Sequence, residues 1–121
     1  TFGGNPLAAA VGIAALELLI GERLSERARV RGDELLAALR RIDHPAIREV
    51  RGKGLLIGVE IDPAHATARQ VCEGLLAAGV LSKDTHATVV RFAPPLIVES
   101  EHIALAVAAL ESALRPFGRS Q

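Results

Sequence analysis

The chain has 121 residues, enough for one domain, and its 14 basic residues balance its 14 acidic ones. A net charge of zero argues against a general nucleic-acid-binding protein, and an aromatic content of 2% provides almost no platforms for base stacking. The single cysteine, Cys72, excludes an internal disulfide framework and a multi-cysteine zinc site, and we expect it to be a small buried residue. Because the chain opens on Thr1 without a methionine, we expect it to be part of a larger protein.

A strongly apolar helix is predicted first, over residues 7–20. Asn5 can accept a hydrogen bond as its cap, and Pro6 suits the first helical position, where no amide hydrogen is needed. Only Glu17 is charged in this segment, and such a helix is usually buried on most sides. A domain of this size can hardly cover it, so we expect a neighbour outside the chain to do so.

The next segment predicts a helix followed by a β-hairpin. Residues 24–42 carry an apolar stripe on one side and solvated charges on the other. Two strands are predicted for residues 47–51 and 55–61, joined by a short turn at Arg51-Gly52-Lys53-Gly54. The second strand alternates with a period of two, which places one apolar set on a single face: Leu55, Ile57, Val59 and Ile61.

A third helix and two short strands come next. Thr67 can cap a helix that ends at Ala78, and Gly79 suits its C-terminal stop. Short strands are predicted for residues 80–81 and 88–92, with a loop between them. Pro94-Pro95 prevents the second of these strands from continuing.

The final element is a helix predicted over residues 101–115, with Ser100 as its cap and Pro116 as its stop. The complete order is therefore α-α-β-β-α-β-β-α. This order predicts an α+β fold in which a small, mostly antiparallel sheet has its helices on one face.

Two glycine-rich segments allow a functional interpretation beside a structural one. Gly3-Gly4-Asn5-Pro6 leads into a helix N-terminus, which can bind an anion or can be an ordinary capped loop. Gly52-Lys53-Gly54 lacks the spacing of a phosphate-binding loop, so a tight hairpin is the favoured interpretation. No zinc site is predicted, because the histidines do not pair at ligand spacing: His44, His65, His86 and His102.

Arg91 is an unusual residue in an otherwise apolar strand, between Val90 and Phe92. A charged side chain there must reach water or an anionic partner. It can be an edge-strand arginine that faces solvent. Alternatively, it can clamp a carboxylate, because a guanidinium group offers two parallel donors to the two carboxylate oxygens.

These segments together resemble a known enzyme family over essentially the whole chain. Thr1-Phe2-Gly3-Gly4-Asn5-Pro6-Leu7-Ala8 is similar to the motif that enters the C-terminal part of class III pyridoxal-phosphate aminotransferases. Val50-Arg51-Gly52-Lys53-Gly54-Leu55-Leu56 is similar to a hairpin of the same family. Leu81-Ser82-Lys83-Asp84-Thr85-His86 and Val90-Arg91-Phe92-Ala93-Pro94-Pro95-Leu96 resemble the ornithine aminotransferases within that class.

The resemblance implies a function and roles for two residues. The family reaction moves the δ-amino group of ornithine to 2-oxoglutarate, with pyridoxal 5'-phosphate as the electron sink. Thr1 is expected to contact the cofactor phosphate bound in the neighbouring subunit, and Arg91 is expected to bind the substrate α-carboxylate. Residues 1–121 would be the C-terminal domain of a cytoplasmic homodimeric enzyme of fold type I. Residues 1–20 would be the helix that links it to a large N-terminal domain.

The chain also departs from the family pattern. The lysine that carries the cofactor lies upstream of the opening motif in the family, so neither Lys53 nor Lys83 matches it and the chain alone is expected to be inactive. Ala87 stands where the family tends to have glycine after the loop histidine. A related class III enzyme acting on acetylornithine or 4-aminobutyrate is one alternative, which the Thr85-His86 loop disfavours. A non-catalytic interaction module is another.

Overall fold

A computed structural model describes residues 3–118 of the chain. The elements follow the predicted order: α1 (Pro6–Gly21), α2 (Leu24–Arg40), β1 (Ile47–Lys53), β2 (Leu56–Ile61), α3 (Ala68–Ala77), β3 (Lys83–Thr85), β4 (Val89–Phe92) and α4 (Ser100–Leu114). A short 3-10 turn at Arg115–Phe117 ends the described part of the chain.

The four strands form one antiparallel sheet in the order β1-β2-β4-β3. One face packs against α2 and α3, and α4 packs against these two helices in the same core. The buried strand residues of this face are Val50, Ile57, Val59, Ile61, Val90 and Phe92. The opposite face, here called the outer face, carries the alternate strand residues: Glu49, Arg51, Lys53, Leu56, Gly58, Glu60, Lys83, Thr85, Val89 and Arg91. The predicted α+β fold, with helices on one face of the sheet, is confirmed.

The alternation predicted for the second strand is also confirmed. Ile57 is 1% exposed and Val59 is 0% exposed, whereas Leu56 on the outer face is 59% exposed. The turn itself lies later than predicted, at Gly54 and Leu55, because β1 continues to Lys53, which pairs with Leu56. The Gly-Lys-Gly segment is therefore part of a tight hairpin.

The predicted strand at residues 80–81 is wrong, and the strand forms at Lys83–Thr85 instead. Gly79 adopts φ 84 after α3, and the Val80 amide donates to the Leu75 carbonyl at 2.8 Å. These bonds fold the chain back against the end of the helix, so Leu81 remains 87% exposed and pairing begins only at Lys83 opposite Arg91.

The helix ends differ from the predictions at a few residues. Thr67 caps α3 as predicted, with a reciprocal capping box to Gln70. The cap of α4 is Glu99 rather than Ser100: the Glu99 carbonyl accepts from the His102 amide at 3.1 Å, and the Glu99 amide donates to His102 Nδ1 at 3.3 Å. The Glu99 carboxylate joins α4 to α2.

A polar cluster connects the start of α4 to α2. The Glu99 carboxylate accepts from Arg27 and from Arg31, the latter at 2.7 Å. Arg31 also donates to Glu34 at 2.8 Å, and this hydrogen bond holds the pKa of Glu34 below its ordinary value. The ion pairs therefore fix the position of α4 along α2 at the rim of the core.

Helix α1 contacts α2 but buries none of its own residues. Its apolar side chains stay in contact with solvent, as shown by Leu7 at 76% exposed and Ile20 at 75% exposed. Among the described residues, no helix is long and apolar enough to cross a membrane. The expectation that a neighbour outside the chain covers α1 stays a prediction.

Two glycines allow α2 to approach the β1–β2 turn closely. A β-carbon at Gly32 would lie 2.2 Å from the carbonyl carbon and oxygen of Gly54. Gly54 itself has φ 55, a left-handed conformation that glycine adopts at little cost. Since a backbone carbonyl cannot move away as a side-chain end can, any side chain at position 32 must separate the helix from the hairpin.

We predict that Gly32→Ala lowers the free energy of unfolding by about 1–3 kcal/mol, the usual cost of overpacking. Gly12→Ala is the matched control, because Gly12 is also helical and a β-carbon there meets nothing within 4 Å. The control should be neutral or stabilising by up to about 1 kcal/mol, since alanine favours helix. Urea denaturation of both variants measures the difference, and equal midpoints would contradict the close approach.

Candidate functional site

The outer face of the sheet brings three cationic residues into one cross-strand row. Arg51 lies opposite Gly58, Gly58 lies opposite Arg91, and Arg91 lies opposite Lys83. The helices cover only the other face, so this row faces away from the core. The sheet register, rather than proximity in sequence, assembles the row.

Arg91 occupies the centre of this surface on β4. Its strand neighbours Val90 and Phe92 are 0% and 5% exposed, whereas Arg91 is exposed on the outer face. Its guanidinium group makes no ion pair or side-chain hydrogen bond with any of residues 3–118. Arg91 therefore presents all of its side-chain donors to a ligand or to solvent.

The acidic residues of the outer face are engaged by Arg51. Its Nη1 atom lies 2.6 Å from Glu60 Oε2 and 2.8 Å from Glu49 Oε2. The hydrogen bond to Glu60, with help from Glu49, raises the pKa of Arg51, so this guanidinium stays charged. Both carboxylates are directed towards Arg51, which leaves Arg91 without a counterion from these strands.

A tight turn with strained backbone connects β3 to β4 beside this surface. His86 has φ 51 and Ala87 has φ 62, both in the left-handed region that non-glycine residues rarely adopt. Hydrogen bonds hold the turn, with Thr88 N donating to His86 O at 2.7 Å and Ile61 N donating to Thr88 O at 2.7 Å. Glycine would adopt this left-handed conformation at lower cost than Ala87 does.

The described start of α1 combines both features expected of a capped helix. The Asn5 side chain accepts from the Ala8 amide at 2.8 Å, and Pro6 is the first helical residue. Gly3 and Gly4 are exposed, and no other group crowds them. Thr1, the residue expected to contact a cofactor phosphate, lies outside the described residues.

The remaining candidates have structural roles or no assigned role. Cys72 is 8% exposed, and burial raises the pKa of its thiol, which confirms the expected small buried residue. Within residues 3–118, no three His, Cys, Asp or Glu side chains gather into a possible metal site. An open apolar groove of about 570 Å³ lies between α4 and the segment after β4, with Leu81 and Ile97 at its rim. Its lining is too apolar to suggest chemistry.

Sequence reasoning missed Gly58 and Lys83 as members of the surface around Arg91. It placed Lys83 in a loop, and Gly58 had no partner before the strand order was known. Only the pairing of β4 with both β2 and β3 brings them beside Arg91. The available signal was the alternation of buried and exposed residues in β2 and β4, which places Gly58 and Arg91 each on the face opposite to the buried residues of its strand.

The sequence model of the class-III aminotransferases matches residues 1–114. The chain belongs to the class-III aminotransferase family. It is 52% identical over 116 residues to an ornithine aminotransferase of Halalkalibacterium halodurans, covering 96% of this chain and 28% of that one. It is 53% identical over 107 residues to an ornithine aminotransferase of Geobacillus sp., and the match covers 88% of this chain and 26% of that one.

Solved structures of class-III relatives share the fold. The ornithine aminotransferase of Plasmodium yoelii superposes with a TM-score of 0.91 at 34% identity, covering 97% of this chain and 32% of that one. The acetylornithine aminotransferase of Elizabethkingia anophelis superposes with a TM-score of 0.89 at 38% identity, and the match covers 97% of this chain and 32% of that one. The chain thus spans less than a third of the length of these relatives.

We predict that Ala87→Gly raises the free energy of unfolding by up to about 1 kcal/mol. Glycine adopts the left-handed conformation at position 87 without strain, and this gain exceeds the larger backbone entropy that glycine loses on folding. Ala108→Gly, at an exposed position in the interior of α4, is the matched control and should lower stability by about 1 kcal/mol. Thermal or urea denaturation compares the two variants. A destabilised Ala87→Gly protein would contradict the strained turn.

Proposed function

We propose that the protein carrying this chain is an ornithine–oxo-acid aminotransferase. It would transfer the δ-amino group of ornithine to 2-oxoglutarate and produce glutamate semialdehyde and glutamate. Support comes from the identity of 52% to a curated ornithine aminotransferase over nearly the whole chain. Residues 1–121 would be its C-terminal small domain, and residues 1–20 would connect this domain to a large N-terminal domain that the relatives' greater length leaves room for.

The observation that carries the proposal is the unpaired Arg91 at the centre of the outer face. In this interpretation Arg91 binds the α-carboxylate of the substrate through two parallel N–H···O bonds. Its backbone is fixed by pairing on both sides, to Gly58 and to Lys83, so the guanidinium group starts from a defined position. Such positioning lowers the entropic cost of bringing the substrate into a reactive orientation.

Pyridoxal 5'-phosphate, when bound, supplies the electron sink for amino-group transfer. The start of α1 fits a phosphate in part, since it offers exposed glycines and a helix N-terminus. Thr1 would donate to that phosphate in the neighbouring subunit of a cytoplasmic homodimer. A Thr1→Val protein that holds the cofactor as tightly as the native protein would contradict this role. The lysine that carries the cofactor would come from the large domain, so this chain alone should not catalyse the reaction.

The second candidate is an acetylornithine aminotransferase, favoured by the similarity of fold and sequence to the Elizabethkingia anophelis structure. The two candidates differ in the amino donor, because one accepts free ornithine and the other requires an acetylated α-amino group. Initial rates with ornithine, acetylornithine and 4-aminobutyrate at equal concentration distinguish them. We expect ornithine to react fastest, and a clear preference for either other donor would overturn the assignment.

We predict that Arg91→Lys impairs the half-reaction with 2-oxoglutarate and glutamate by about 2–4 kcal/mol in transition-state binding. Lysine keeps the charge but loses the two-pronged donor geometry. Arg29→Lys, on the exposed surface of α2, is the control and should behave as the native protein. Single-turnover kinetics of both half-reactions measure the effect. A native rate and Michaelis constant for Arg91→Lys would leave Arg91 as an ordinary solvent-facing strand residue.

A further inference from the structure

Lys83 and Arg91 form a like-charged pair directly opposite each other on β3 and β4. Residues in this relation on antiparallel strands have β-carbons about 4.5–5.5 Å apart, and like charges there destabilise the sheet. Lys83, like Arg91, makes no ion pair or side-chain hydrogen bond with any of residues 3–118. The pair therefore concentrates two uncompensated positive charges at one point of the outer face.

No acidic side chain of the four strands is available to neutralise this pair. Glu49 and Glu60 are both bound by Arg51. Asp84 follows Lys83 in sequence but lies on the helix side of the sheet, opposite the buried Val90, and its carboxylate pairs with Arg69 of α3 at 3.6 Å. Each acidic side chain of the four strands is thus engaged by another arginine, and within residues 3–118 none of them pairs with Lys83 or Arg91.

The residue opposite Arg91 on β2 is Gly58, which has no side chain. Gly58 separates Arg91 from Arg51 in the cross-strand row. A β-carbon at this position would lie 3.0 Å from Val89 Cγ1, because the Val89 side chain lies over Gly58. Arg91 therefore has a neighbour without charge on the β2 side and a second cation, Lys83, on the β3 side.

We propose that Lys83 is a second carboxylate-binding residue, which joins Arg91 in holding one carboxylate of the oxo-acid substrate. The inference rests on the proposed function and deepens it. Arg91 provides the bidentate geometry, and Lys83 adds a mobile point charge to the same anion. Two adjacent cations favour a dianionic 2-oxo dicarboxylic acid over an amino donor such as ornithine, whose net charge is positive. Lys83 is thus a specificity-determining residue between the two substrates of the reaction.

The test compares Lys83→Gln and Lys83→Arg with a matched control, Lys53→Gln, in the full-length holoenzyme. Lys53 is also an exposed outer-face lysine, but it lies on β1 opposite the apolar Leu56, two strands away from Arg91. The measurements are the Michaelis constants for 2-oxoglutarate and ornithine, and the dissociation constant of glutarate, an unreactive dicarboxylate, by calorimetry.

Lys83→Gln should raise the 2-oxoglutarate Michaelis constant and the glutarate dissociation constant by about 5- to 30-fold, the effect of one partly solvated charge-assisted contact. The ornithine Michaelis constant should change by less than about 2-fold, because the attraction of Lys83 for the one carboxylate of ornithine is offset by its repulsion of the two ammonium groups. Lys83→Arg should restore most of the binding. Lys53→Gln should match the native protein.

If the Michaelis constants and the glutarate dissociation constant of Lys83→Gln equal those of Lys53→Gln, the inference is overturned and Lys83 is a solvated strand lysine. This conclusion holds for any result obtained with Arg91→Lys. Equal weakening for ornithine and 2-oxoglutarate would also overturn it, because a dianion preference requires a difference between them. Failure of the proposed function gives a different result, since a protein inactive with ornithine can still bind glutarate in the calorimeter. Loss of glutarate binding in Lys83→Gln would then support the anion site independently of the reaction.

Discussion

The antiparallel pairing of β2 with β4 decides which side chains of the sheet are buried and which face outwards. Ile57 lies opposite Phe92 and Val59 lies opposite Val90, and all four are buried beneath the helices. A slip of one residue in this register would turn these side chains to solvent and Arg91 into the core. Since an unpaired charge in an apolar core is costly, the packing that builds the core also presents Arg91 on the outer face.

The electrostatics of the outer face follow from the same register. Arg51 is positioned to bind both acidic residues of its face, and its two ion pairs are short. Arg91 and Lys83 remain without counterions among the described residues. Because Arg51 already binds the acidic residues of this face, the proposed carboxylate site would need no rearrangement of the sheet's own ion pairs before an anion binds.

Two apolar surfaces of the chain remain uncovered. One is helix α1, which has no buried residue, and the other is the groove bordered by Leu81 and Ile97. Apolar surfaces of this extent usually mark contacts with other protein. The relatives are more than three times as long as this chain, since it covers only 28% of one of them. The proposed large domain and partner subunit are the natural cover for both surfaces.

Local patterns in the sequence were sufficient for most of the elements. The Thr67 cap, the period-two alternation of β2 and the position of Pro6 depend on neighbours within a few residues, and the structure contains all three. The same kind of reasoning misplaced the third strand by three residues. Hydrophobicity at residues 80–81 suggests a strand there, whereas the turn at Gly79 and the partner strand decide where pairing begins.

The sequence by itself determined the α+β class, the family and the side of its strand on which Arg91 lies, because alternation and motifs are local properties. Only the tertiary structure decided that β4 lies between β2 and β3, which places Gly58 and Lys83 on either side of Arg91. It also decided that Gly32 must lack a side chain, since Gly54 contacts it from a distant part of the chain. Strand order and helix–turn contacts are non-local, and they arise from burying one face of the sheet as a whole.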